Sequence, residues 1–176
     1  DVGHDTTLVG WPWVLGTHSW LEPTALFVLA LRKLGLGHHD RVAEAERLLV
    51  DRLLPNGGCN YGNTFVLGRQ LRSHVQPTGL VMMSLSHAKN NDARIERSLV
   101  YLLQNLDDGL SVPSLCYALM GLCAHQRRPI GLDRYLGAAL QQLAEDRSSP
   151  YKHALIALAQ LGEACPFFSV ESKVPS

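Results

Sequence analysis

Pro77-Thr78-Gly79-Leu80 opens an apolar run that continues to about Ala88, and three other stretches begin in the same way. They are Pro23-Thr24-Ala25-Leu26, Pro113-Ser114-Leu115-Cys116 and Pro150-Tyr151-Lys152-His153-Ala154-Leu155. The four prolines stand 54, 36 and 37 residues apart, a nearly constant period with one long insertion, which marks a repeat architecture. Proline is tolerated in the first turn of a helix because the N–H it lacks has no intrahelical partner there. The runs therefore predict helices over roughly 23–34, 77–88, 113–126 and 150–161. Glu22, Gln76 and Ser149 stand just before three of the prolines, where they can cap the free amides. From Thr24 to Leu31 almost no side chain is polar, and a helix that is apolar all round is buried all round.

The segments between these runs have the opposite character. In 40–54, Val42, Ala45, Leu48, Leu49 and Leu53 form one stripe, with Arg41, Glu44, Arg47 and Asp51 away from it. In 92–106 the stripe is Ile95, Leu99, Leu102, Leu103 and Leu106, and in 132–145 it is Leu132, Leu136, Ala139, Leu140 and Leu143. Each follows the helical period and predicts one solvated face. The alternation of wholly apolar and amphipathic helices predicts two layers, the proline-led helices inside and the striped ones outside. No stretch keeps the period-2 alternation of a strand. The expectation is an all-α domain of about seven helices spanning 1–176.

Composition narrows the partners. The chain has 176 residues, enough for one continuous core, with 16 basic and 16 acidic side chains. With both signs scattered along the helical stretches, that balance gives no electrostatic argument for nucleic acid or for an anionic membrane surface. The longest apolar run, Ala25 to Leu31, is too short for a membrane span, which needs about 20 residues, and no secretory leader is visible. The four cysteines, Cys59, Cys116, Cys123 and Cys165, form no CxxC, and three lie in or beside apolar helical runs. They read as buried reduced thiols, which points to a reducing compartment such as the cytoplasm.

Two regions break the repeat. Residues 1–21 hold all three tryptophans, Trp11, Trp13 and Trp20, and residues 55–75 form the insertion. The insertion opens on Pro55-Asn56-Gly57-Gly58-Cys59-Asn60-Tyr61-Gly62, a dense turn signal, and a loop of this length inside a domain is often functional. The tail 166–176 reads as an extension docked by Phe167 and Phe168.

Proline-led inner helices, amphipathic outer helices and Gly-Gly turns together resemble the prenyltransferase and squalene-cyclase repeat family, the α/α toroids. In that family the loop after an outer helix often carries Gln followed by Gly-x-Trp; Leu53, Gly57 and Cys59 stand in those places here. Asn56-Gly57-Gly58 and Asn60-Tyr61-Gly62 keep the shape of the motif, and Gln104 with Asp108-Gly109 is a second echo. The segment from His18 to Leu26 is similar to the approach to an inner helix in bacterial members. The resemblance covers roughly 18–162 and implies a toroid-like arc of helical hairpins, an incomplete α/α barrel. A closed ring takes about six helical pairs, so the ends of an arc need caps. The first residue is Asp1 rather than Met, and the expectation is the C-terminal part of a longer protein. A missing N-terminal half or a second copy would complete the ring.

The resemblance does not extend to the chemistry of either branch. Triterpene cyclases of the family protonate an alkene with the middle Asp of Asp-x-Asp-Asp, whereas Asp107-Asp108 is a bare pair between helices. Protein prenyltransferases hold Zn²⁺ through an Asp, a Cys two residues later and a His opening another inner helix. Ser114 stands about where that His would be, and no Asp-x-Cys is present. No catalytic residue, metal ligand or cofactor is assigned.

The candidate binding residues lie near the starts of the proline-led helices: Trp20, Glu22, His74, Gln76, Tyr117, Tyr151 and His153, joined by Asn60 and Tyr61 of the turn. Helix N-termini carry partial positive charge and free amides, which suits an anionic ligand group, and the apolar helices behind would suit a hydrocarbon such as an isoprenoid. The competing reading is that these residues only cap helices and fill gaps. A Cys116, Cys123 and His125 group lacks the fourth ligand that zinc takes. Cys59 in its glycine-rich turn, activated by His74, is a nucleophile candidate that the spacing does not require. Three functions stay open: a non-catalytic domain binding an isoprenoid, lipid or peptide; a fragment of a terpenoid cyclase whose acid lies elsewhere; and an oligomerisation scaffold.

Overall fold

The computed structural model describes residues 3–145 and 149–168. Seven α-helices run in chain order: α1 (Leu21–Lys33), α2 (Asp40–Asp51), α3 (Val75–Leu85), α4 (Ala93–Gln104), α5 (Val112–Ala124), α6 (Leu132–Glu145) and α7 (Pro150–Gln160). A short 3-10 turn, Gly162–Ala164, follows. The proline-led helices pack side by side in the order α1, α3, α5, α7, and the pairing of α3 with α5 is the most extensive. The striped helices sit against neighbouring pairs of these: α2 on α1 and α3, α4 on α3 and α5, α6 on α5 and α7.

Inter-helix contacts fix the directions. A β-carbon on Gly79 would overlap the Tyr117 carbonyl, and one on Gly121 would overlap the Gly79 carbonyl. Further along, the His125 imidazole Nε2 donates to the Met82 carbonyl at 2.9 Å. Moving forward along α3 therefore moves forward along α5, so the two are parallel and α4 returns between them. The absence of side chains at Gly79 and Gly121 is what lets the two backbones meet.

Burial matches the expectation for α3 and α5 and departs from it at the flanks. Every residue from Pro77 to Leu85 and from Leu115 to Cys123 is buried. In α1, by contrast, Leu26 is 37% and Phe27 45% exposed. In α7 Tyr151, Ala154 and Ala157 are exposed. α3 and α5 each have a proline-led neighbour on both sides, whereas α1 and α7 have one. A uniformly apolar sequence does not reveal that difference. On the striped helices, Leu103 and Leu140 also reach solvent, while Val42, Ala45, Leu48, Leu49, Leu99, Leu102, Leu132, Leu136, Ala139 and Leu143 are buried as the period requires.

The helix starts need a second correction. α1 and α3 begin two residues before their prolines, because the Trp20 and His74 carbonyls accept the first helical bonds from the Thr24 and Thr78 amides. Glu22 and Gln76 therefore lie inside the first turn and cap nothing; Trp20 and His74 are the cap positions. Ser149 does cap, accepting from the Lys152 amide, and Ser111 does the same for α5.

Before α1 and α3 the chain is tied down in the same manner. Trp11 forms an isolated antiparallel bridge with Trp20, and Cys59 forms one with His74. The Trp11 amide donates to Thr24 Oγ1 at 2.9 Å and the Cys59 amide to Thr78 Oγ1 at 3.0 Å. Each hydroxyl in turn donates at 2.6 Å to the carbonyl four residues earlier, that of Trp20 or His74.

Strands are not wholly absent. The insertion contains a small antiparallel hairpin, β1 (Phe65–Val66) and β2 (Arg69–Gln70), too short to show a periodicity in sequence. At the other end Phe168 is buried and its carbonyl accepts from His87 Nε2 at 2.6 Å. Phe167 is more exposed. The rest of the expected tail, 169–176, lies outside the described residues.

Candidate functional site

The starts of α1 and α3 are joined through the insertion and those of α5 and α7 through a tyrosine pair, and most of the candidate residues form these two groups. In the first, the Trp20 ring lies over Gly62, where a β-carbon would come within 3.2 Å of it, and His18 packs on the same indole at 4.4 Å. The Tyr61 carbonyl accepts from the Leu21 amide at 3.0 Å, and the Tyr61 ring packs on His74 at 5.4 Å. The insertion is thus fastened across the start of α1 and the start of α3 together.

In the second group, Tyr117 of α5 and Tyr151 of α7 share a hydroxyl–hydroxyl hydrogen bond of 3.1 Å. Burial raises the Tyr117 pKa, and the bond to Tyr151 and the nearby Glu22 carboxylate raise it further. Glu22 in the first turn of α1 is half-buried, and desolvation raises its own pKa. Burial disfavours the charged form of an acid, so both groups lean towards holding a proton. Two tyrosine hydroxyls from neighbouring helices therefore meet in a partly dry setting that also feels the Glu22 carboxylate.

The remaining candidates do not join these groups. Asn60 is buried, and its Oδ1 accepts from the Gly62 amide at 3.0 Å, which shapes the turn. Gln76 is half-buried in the first turn of α3. His153 is exposed, and its Nδ1 donates to the Ser149 carbonyl of its own helix at 2.9 Å.

Cys59 and His74 do come together, but through the backbone: the His74 amide donates to the Cys59 carbonyl at 2.8 Å. The thiol itself is fully buried, lies 3.7 Å from Thr78 Oγ1 and has its pKa pushed up to about 12 by burial. A thiol so held forms little thiolate, which removes it as a nucleophile. All four cysteines are buried and free. No group of three or more His, Cys, Asp or Glu among the described residues is placed to hold a metal ion.

One feature of this side escaped the sequence reading. A cleft of about 640 Å³ opens between the N-terminal segment and the β1–β2 hairpin. Its walls include Leu8, Thr17 and His18 on one side and Phe65, Val66 and Leu67 on the other, with Arg52 among the lining residues. Arg52 is buried and pairs with Asp51 at 3.3 Å. It also donates to the Gly62 carbonyl at 3.0 Å and the Asp5 carbonyl at 3.3 Å. It therefore joins the N-terminal segment to the insertion. An arginine ending an amphipathic helix gives no sign in sequence that it turns inward.

No protein-family model matches the chain, and no curated protein and no solved structure matches it. No helix among the described residues is long and apolar enough to cross a membrane.

Proposed function

We propose that the chain is a non-catalytic helical-repeat domain of the α/α-toroid type, akin to the prenyltransferase and squalene-cyclase repeat family. It holds a hydrophobic ligand of isoprenoid or lipid character by its polar head at the starts of the proline-led helices. The hydroxyl pair that Tyr117 and Tyr151 form between α5 and α7, with the Glu22 carboxylate acting on it electrostatically, carries this reading. The tyrosine pair uses one of its two O–H protons internally, leaving the other to donate to a ligand. Burial disfavours charge on the acids Tyr117 and Glu22, and a diphosphate would bring more negative charge to the same setting. A neutral alcohol head therefore suits the group better than a diphosphate. Because α3 and α5 are enclosed on every side, the helix ends rather than the space along them receive the ligand.

Thermal unfolding in the presence of a prenyl alcohol and, separately, of a prenyl diphosphate tests this. A ligand at a hundredfold excess over its Kd stabilises the folded state by about 2.7 kcal/mol, a rise of several degrees for a domain of this size. The alcohol is expected to raise Tm and Tyr117→Phe to reduce the rise. An unchanged Tm at saturating concentration of both compounds would remove the ligand reading.

A second reading, ring completion or oligomerisation, is favoured by the outward faces of α1 and α7. Leu26 and Phe27 on one and Tyr151 on the other remain open to solvent. In that case the domain serves as scaffold, or as part of a cyclase whose acid is supplied from outside these residues. Light scattering over a range of concentrations separates a monomer from a self-associating domain.

A further inference from the structure

The balanced net charge conceals a local asymmetry. Between Asp51 and Asp92 there is no acidic residue, while Arg52, Arg69, Arg72 and Lys89 fall in that interval. Between Asp5 and Glu22 there is no Asp, Glu, Lys or Arg at all. These two acid-free stretches supply most of the lining of the 640 Å³ cleft, and each contains a turn that lifts apolar side chains into solvent.

The first turn is closed by the Thr17 amide donating to the Val14 carbonyl at 3.2 Å, with Gly16 at φ +81°. It presents Trp13, Val14 and Leu15, the last 94% exposed. The second is the two-residue connection Leu67-Gly68 between β1 and β2, with Leu67 97% exposed and Val66 beside it. Both connecting residues have positive φ, Leu67 at 49°. That turn type favours Asn or Gly at the Leu67 position, and a bulky side chain there is strained. Leu67 thus combines a disfavoured backbone with a disfavoured exposure, and neither helps folding. Arg69 and Arg72 are exposed close behind the second tip, and neither forms an ion pair among the described residues.

We propose that these two tips form a peripheral membrane-contact face. Trp13, Val14, Leu15, Val66 and Leu67 enter the interfacial zone of an anionic bilayer, and Arg69 and Arg72 meet the lipid phosphates. Tryptophan favours that zone because its ring is apolar and its N–H finds partners there. Few inserted side chains give only marginal binding alone, so the arginines are a required second element. Charge complementarity selects this occupant: the two tips, 13–17 and 65–72, hold Arg69 and Arg72 and no Asp or Glu, which an anionic surface would repel. This inference is independent of the ligand at the helix ends.

The full chain is sedimented with phosphatidylcholine vesicles and with vesicles containing about a quarter phosphatidylserine. Binding is expected to the anionic vesicles only, with a blue shift of tryptophan emission that Trp13→Phe diminishes. Leu15→Glu and Leu67→Glu are each expected to weaken it at least tenfold, and Arg69→Ala or Arg72→Ala roughly fivefold. Leu67→Gly relieves the left-handed strain, so it should keep or raise Tm while weakening vesicle binding. Lack of sedimentation by the parent chain overturns the proposal, as does binding untouched by the Leu15→Glu/Leu67→Glu pair. Self-association that Leu67→Glu abolishes, with no vesicle binding, also overturns it and assigns the tips to a second copy.

Discussion

Thr24 and Thr78 are structural equivalents, 54 residues apart, each clamping an incoming segment onto the start of a proline-led helix. Thr24 Oγ1 accepts from the Trp11 amide and donates to the Trp20 carbonyl; Thr78 Oγ1 accepts from the Cys59 amide and donates to the His74 carbonyl. The Pro-Thr pair is thus a repeated joint, and the tryptophan-rich segment plays at α1 the part that the insertion plays at α3.

Removing the hydroxyl isolates the effect. Thr78→Val keeps the shape but leaves the buried Cys59 amide without its partner, which costs about 1–3 kcal/mol. Thr78→Ser should recover most of that loss. Urea unfolding measures both, and a Thr78→Val variant as stable as the parent would show that the clamp is immaterial.

Two glycine replacements should have opposite signs. Glycine to alanine inside a helix ordinarily stabilises by about 0.5–1 kcal/mol. Gly137 in α6 has nothing within 4 Å of where a β-carbon would sit, so Gly137→Ala should follow that rule. At Gly79 the β-carbon meets the Tyr117 carbonyl, and backbone overlap outweighs propensity. Gly79→Ala should therefore destabilise by about 1–3 kcal/mol. Matching signs in thermal melts would contradict the close crossing of α3 and α5.

The uniform greasiness of α1 predicts that Leu26→Asp unfolds the domain, and the structure reverses that expectation. Leu26 retains 37% of its exposure while Met82 is fully buried. A carboxylate at Leu26 reaches water and should cost at most about 1–2 kcal/mol. At Met82 it has neither water nor a partner, and the chain should not fold. Circular dichroism of the two variants distinguishes them.

Buried thiols impose an alkaline limit. Burial pushes the pKa of Cys59 and of Cys116 up to about 12, from an ordinary value of 9.0. The folded state favours the protonated thiol, so its contribution is complete below pH 9 and is lost as the pH rises towards 12. Urea midpoints should fall across that window, and Cys116→Ala should flatten the fall. A profile that the substitution leaves unchanged would place the alkaline loss elsewhere.

Much of the helical layout was legible because it rests on local chemistry. The 3.6-residue stripe of α6 matches the observed Leu132–Glu145, and the proline spacing identifies the four helices that pack in a row. The candidate site was legible in part. A helix start can be read from proline, so Tyr117, Tyr151 and Glu22 were found by their nearness to one. Arg52, the cleft and the two projecting tips were not, since each depends on residues far apart in the chain meeting across a fold.

By itself, the sequence determined which segments are helical and which helices are greasy, because hydrogen bonding within a helix and the period of its side chains are local properties. Only the tertiary structure decided that α3 and α5 are enclosed while α1 and α7 keep an open face, because burial depends on how many neighbours a helix has. It alone also decided that Cys59 is inert beside His74 and that Thr17 and Leu67 line one cleft. Those outcomes arise from packing between segments tens of residues apart, which no periodicity records.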